Sequence, residues 1–335
     1  MKQRIQMYDG LKFFALFFVY STHFIAYFHE AYFVHWTKIP EAFLLNGITG
    51  KFGVAIFGVL LSYFAYEKGE NNGAAGFPAY ILKRYNYFVF CGLFINMLYK
   101  IEQIRMRGTF SIGDIELWLK VSFTLGDDLY PTFWCLKYFF VVSTLAYLLG
   151  AYKSKISTKI IICLVLGLTM DIWIAIFLLG ILVSDILEAK ELYKGKKTQL
   201  LLVVLIMVMF RGQEGIFTYL RDGITALLII AFLNVNKGAN AFLSQRIFSK
   251  IGMRSMGVFM IHPMVYSYVS PRIFQMLSDW PYGVAFITCL GMTFILVVLI
   301  AVPIDWLVKK MTTITTANII ISVDRIGKIS NETKD

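Results

Sequence analysis

Tyr8-Asp9-Gly10-Leu11-Lys12 runs directly into an apolar stretch, Phe13 to Phe28, that carries a single imidazole, His23. Counted from Leu11, the run to Phe28 is expected to be long enough to cross a bilayer core, at the short end of the roughly 17–25 predominantly apolar helical residues that a span takes. At about 100° per residue, the separation of Lys12 and His23 puts both on one helix face, about 16 Å apart along the axis. Such a face suits a site with two ends: a fixed cation at the membrane boundary to hold an anionic head group, and a titratable base deeper in. It equally fits a plain positive-inside flank at Lys12 and a hydrogen-bonded bundle residue at His23, and the spacing alone leaves both open.

The rest of the chain has the same character. Its 335 residues are 58% hydrophobic and only 16% charged, with a mean hydropathy of +0.67, which is far more apolar than a soluble domain. The fold class expected is all-α, a polytopic integral membrane protein. The net charge of +11 does not point to nucleic acid, because the cations lie in short loops between apolar runs. Cys91, Cys135, Cys163 and Cys289 sit inside apolar runs without paired spacing, so neither a disulfide framework nor a metal site is expected. No small-residue cleavage pattern follows the first run, which is expected to remain as the first span.

Ten apolar runs are read in order: about 11–28, 51–66, a third from Lys83-Arg84 to about 99, 132–150, a fifth and sixth forming a hairpin about Asp171, 199–210, one ending near Asn236, 253–270 and 282–308. The seventh and eighth are short for a span. Between the third and fourth, Lys100 to Pro131 is amphipathic and carries Trp118, which reads as an interfacial helix or a cap over an opening. With the amino terminus inside, cytoplasmic segments hold 22 of the 32 Lys and Arg residues. That asymmetry favours about ten spans in the cell (inner, cytoplasmic) membrane with both termini cytoplasmic. The absence of an internal repeat counts against an inverted-repeat transporter.

Tyr8-Asp9-Gly10-Leu11-Lys12, then ten residues, then His23 resembles the opening of the membrane acyltransferase 3 family. Further pieces follow in that family's order. Gly53-Val-Ala-Ile-Phe57-Gly-Val-Leu-Leu-Ser62-Tyr-Phe64 resembles its second span and Lys83-Arg84-Tyr85 the Arg-rich start of its third. Phe133-Trp134-Cys135-Leu136-Lys137-Tyr138 resembles its WFL segment, Ile174-Ala-Ile-Phe177-Leu-Leu-Gly180 its FLLG segment, and Ile251-Gly252 through Ser255 to Ile261-His262-Pro263 its stretch ending in Ile-His-Pro. On this likeness residues 1–310 are an acyltransferase 3-like transmembrane domain and 311–335 a basic cytoplasmic tail. The chain departs from the pattern in three places. Tyr63 follows Ser62 where glycine is usual, Lys83-Arg84 stands for several arginines, and Met256 to Met260 replace the two tyrosines before Ile261-His262-Pro263.

The resemblance implies transfer of an acyl group, commonly acetyl from acetyl-CoA, to a saccharide hydroxyl, such as one on capsule, exopolysaccharide or O-antigen, with an acceptor that is lipid-linked or polymeric. A sugar hydroxyl is a weak nucleophile, and a neutral imidazole that takes its proton makes it competent. His23 is the candidate base. Coenzyme A carries clustered phosphates, which cations hold well, and Lys12, Lys83 and Arg84 are the candidates for that hold. Lys83 and Arg84 also serve topology. Asp9 pairs with Lys12 at helical spacing or caps a helix. Trp134 stacks on a sugar or belongs to the interfacial aromatic belt. Lys137, a charge within an apolar run, faces the cavity, pairs with Asp127 or Asp128, or snorkels outward. His262 is a second site histidine, or it satisfies the backbone carbonyl that Pro263 leaves free. His29 and His35 read as solvated, and Arg211, Glu214, Arg221, Asp222 and Arg272 lie on the external side, where a saccharide would enter.

Two other classes stay open. A glycan or lipid transporter or flippase would use His23 and Lys137 as relay or substrate residues. A non-catalytic scaffold for polysaccharide assembly would use the charged positions structurally, and His23→Ala would leave glycan acylation unchanged.

Overall fold

A computed structural model describes residues 6–32, 50–125, 134–210 and 216–332. Among these residues the chain is helical and holds no strand. The first half comprises α1 (Gln6–Tyr32), α2 (Gly50–Asn72), α3 (Phe77–Arg107), α4 (Ile112–Thr124), α5 (Cys135–Ala151), α6 (Ile156–Thr169) and α7 (Ile172–Leu178). A 3-10 turn, Leu179–Leu182, joins α7 to α8 (Val183–Glu188). Then follow α9 (Lys196–Phe210), α10 (Ile216–Val235), α11 (Lys237–Leu243), α12 (Arg246–Gly252), α13 (Ser255–Met276) and α14 (Tyr282–Glu332).

Local chemistry sets the helix ends. Pro78 sits in the first turn of α3, where its missing N–H is no loss. That helix runs past the expected end near residue 99 and stops at Gly108, which adopts a left-handed φ of 70° and donates its N–H to Ile104 O. Ser111 and Asp114 then form a capping box that starts α4. Asp114 also receives Lys100 and Arg107, both at 2.8 Å, and Trp118 Nε1 donates to Leu93 O at 2.8 Å. These contacts fold α4 back onto α3 and turn Ile112, Ile115, Leu119 and Phe123 outward. At the hairpin about Asp171, that carboxylate caps α7 by accepting Trp173 N–H at 2.8 Å.

Among the described residues two helical stretches, Ile172–Leu192 and Gly283–Ser322, are long and apolar enough to cross a membrane, and the pair Leu220–Val235 plus Lys237–Leu243, bent by 104°, makes a third if taken as one span. The apolar helices α5 and α6, at 17 and 14 residues, fall short of the usual length by themselves. In α2, Lys51 at one end and Glu67, Lys68 and Glu70 at the other shorten the apolar part. All four cysteines are buried and free.

Helix α2 lies at the centre, packed by α1, α5, α7 and α10. In a bilayer such association depends on close van der Waals packing and interhelical hydrogen bonds, and both occur where α2 meets α7 and the 3-10 turn that follows it. A Cβ on Gly180 would stand 1.9 Å from Val59 O, so the backbones touch only because glycine is there. Ser62 Oγ donates across the same contact to Phe177 O. Tyr63, at the position where the resemblance leads one to expect glycine, points elsewhere. Its ring packs edge-on against Tyr8 with centroids 5.6 Å apart, and its hydroxyl donates to Glu67 at 3.0 Å.

Candidate active site

The stretch from Gly252 to Pro263 lies alongside α1, and its two ends meet the two ends of the Asp9–His23 segment. At one end Gly252 abuts Asp9, where a Cβ would fall 1.7 Å from Asp9 O and 3.2 Å from Phe13 N. Both are backbone atoms, so nothing swings aside. Gly252→Ala is therefore expected to push α12 off α1 and cost about 1–3 kcal/mol or more, seen as a lowered Tm of the detergent-solubilised protein.

At the other end two histidines meet. His262 is fully buried, stacked on His23 with centroids 5.2 Å apart and planes 12° apart, and flanked by the rings of Tyr20, Phe259 and Tyr266. The hydrogen bonds assign the tautomers of the neutral pair. Pro263 has no N–H for Phe259 O four residues back, and His262 Nδ1 meets that carbonyl at 2.7 Å. A carbonyl only accepts, so Nδ1 carries the proton and Nε2 is an acceptor. His23 Nδ1, 2.9 Å from His262 Nε2, is then the donor. The lone pair of His23 is left on Nε2, on a ring that is only partly buried.

Lys12, further down the same helix, pairs with Asp9 at 3.3 Å. Asp9 lies inside α1, whose described part begins at Gln6, so it works as a buried partner of Lys12 and not as the helix cap. Lys12, Lys83 and Arg84, from two helices, line one cavity of about 550 Å3 together with Lys68 and Lys309. Five cations and no carboxylate line its described walls, and Phe57, Leu61 and Phe139 supply apolar surface. Tyr80 organises part of the cluster. Lys68 stands 5.3 Å and Arg84 5.6 Å from the centre of its ring, distances that suit cation–π attraction. Arg84 Nε also donates to the Tyr80 hydroxyl at 3.2 Å, which leaves the other guanidinium nitrogens for a ligand. His23 is not among the lining residues; it lies above the cavity along α1.

The remaining sequence candidates lie elsewhere. Trp134 packs on Trp173, centroids 5.0 Å apart, and on Tyr138. Lys137 is exposed, 5.5 Å from the Tyr138 ring centre, and does not line the cavity; Asp127 and Asp128 are outside the described residues. Arg221 and Asp222 form a buried pair at 2.9 Å, while Arg272 is exposed. Arg211, Glu214, His35 and the side chain of His29 are outside the described residues. Sequence reasoning missed Lys68 and Lys309, whose only sequence signal is a cation at the end of an apolar run.

A family model described as an acyltransferase domain matches residues 5–302. Among curated proteins and among solved structures, none matches the chain. With that match over most of its length, the chain belongs to the acyltransferase 3 family.

Proposed function

From membership of an acyltransferase family, we propose that this protein is a membrane-bound O-acetyltransferase that moves acetyl from acetyl-CoA to a hydroxyl of a cell-surface polysaccharide. The observation that carries the reading is the convergence of Lys12, Lys83 and Arg84, with Lys68 and Lys309, on one cavity at the foot of the helix that bears His23. Five cations without an acid on the described walls suit a polyphosphorylated donor, and the apolar walls suit its long arm. We place the protein in the cell membrane with about ten spans and the cavity at the cytoplasmic face, where the cation asymmetry puts that end of α1.

In this reading His23 Nε2 accepts the proton of the acceptor hydroxyl as its oxygen attacks the thioester carbonyl. The new C–O bond forms, the C–S bond breaks, and the proton returns from His23 to the leaving thiolate. His262 keeps the proton of His23 on Nδ1, so the basic lone pair stays on Nε2. The cavity cations bind and orient the donor and take no proton.

The test compares surface polysaccharide from cells with the intact gene, a deletion, and His23→Ala, by proton NMR for O-acetyl signals with polymer yield measured alongside. Loss of the ester in both altered strains at unchanged yield supports the reading. Loss of polymer instead supports a transporter, and an ester that persists without His23 removes the catalytic assignment. Lys83→Met and Arg84→Met are each expected to raise the KM for acetyl-CoA about 10-fold with kcat little changed. That is the size of one lost charge-assisted hydrogen bond, and steady-state kinetics in nanodiscs checks it.

A further inference from the structure

We propose that Lys309 binds a phosphoryl group of the acyl-CoA donor and that Asp305 positions it, on a cavity wall built by the part of α14 beyond the family match. The inference rests on the acyl-CoA reading above. The match ends at residue 302, yet α14 continues unbroken, and Lys309, Thr312 and Thr313 from that continuation line the cavity. The two threonine hydroxyls donate back into the helix, to Val308 O at 2.8 Å and Lys309 O at 2.9 Å, so neither has a proton to offer a phosphate. Lys309 does. Its Nζ meets Asp305 at 2.6 Å and Met253 O at 3.3 Å, and an ammonium carries three N–H donors. One is left over among the described residues, on a side chain that is 50% exposed beside a carboxylate that is 6% exposed.

Asp305 does for Lys309 what Asp9 does for Lys12 on α1. In each case a buried aspartate one turn earlier on the same helix holds a lysine at the cavity wall. Asp305 Oδ1 is buried with no hydrogen-bond partner among the described residues. Its carboxylate therefore depends on Lys309 for charge compensation, and a buried charge left without its partner is strongly unfavourable. This tethers the ammonium to one place. Tethering and simple charge make opposite predictions for Asp305→Asn. Removing a negative charge beside the cavity tightens an anion by electrostatics alone, whereas losing the tether loosens it.

The experiment uses the full chain in nanodiscs and measures binding of coenzyme A together with kcat and KM for acetyl-CoA, in wild type, Lys309→Met, Lys309→Arg and Asp305→Asn. Monodispersity is checked for each, and Lys309→Gln replaces the methionine variant if that one does not fold. The expected result is a KM raised about 10-fold in Lys309→Met with kcat within about twofold, recovery to within about threefold in Lys309→Arg, and a KM raised several-fold in Asp305→Asn. An unchanged KM in Lys309→Met overturns the phosphate contact, and tighter binding in Asp305→Asn overturns the positioning role. A wild-type protein that binds no coenzyme A overturns the donor reading itself, and Lys309 falls with it.

Discussion

His23→Ala is expected to lower kcat for acetyl transfer by about 10²–10⁴-fold, the usual contribution of a positioned general base, while binding of coenzyme A stays within about twofold of wild type. The split follows from the geometry. His23 does not line the basic cavity, so its removal takes nothing from the donor's phosphates. What is lost is the Nε2 lone pair, the acceptor that the hydrogen-bond chain from Phe259 O through His262 leaves open. Single-turnover measurement with radiolabelled acetyl-CoA, normalised to folded protein, separates the two quantities. A variant that loses donor binding in proportion to rate would place His23 in the donor site; one that keeps its rate would leave the histidine pair a packing feature.

The helical, apolar character of the chain was legible because composition is a summed property, insensitive to the placement of any one residue. Of the ten or so spans expected from apolar runs and loop charge, by contrast, two helical stretches, or three with the bent pair, are long and apolar enough among the described residues. That Lys12 and His23 lie along one helix was legible for a different reason: their spacing is local geometry. The same holds for Asp9 and Lys12. What the sequence does not reveal is which distant cations join them. Lys68 and Lys309 sit at the ends of apolar runs, where the positive-inside rule places lysines whether or not they bind anything. Only the packing of α1, α2, α3 and α14 about one cavity distinguishes them from Lys153 or Lys196. The number of spans is hard to read for a related reason. Helices such as α5 and α6 are shorter than a bilayer core, and the charges near the ends of α2 and α3 belong both to the spans and to the cavity.

His262 shows how far one proline can be read. Pro263 predicts an unpaired carbonyl at Phe259 and a nearby group to satisfy it, and one nitrogen of His262 does so. The other nitrogen reaches 239 positions along the chain to His23, which no local pattern encodes. His262→Ala is expected to lower kcat about 10²-fold, because an orienting partner that fixes the tautomer of a catalytic histidine is worth that much or more. It should also destabilise the protein by about 1–3 kcal/mol, because the Phe259 carbonyl loses the imidazole's hydrogen bond. Loss of stability alone would fit a purely structural histidine, so Pro263→Ala is the sharper measurement. It restores a backbone N–H to Phe259 O, supplies the helix with the bond it lacked, and competes with His262 Nδ1 for the same carbonyl. With that anchor weakened, His262 is free to carry its proton on Nε2, which then no longer accepts from His23. A positioning role therefore requires Pro263→Ala to hold or raise the Tm while lowering kcat with an unchanged donor KM. A purely structural role requires kcat to stay at its wild-type value.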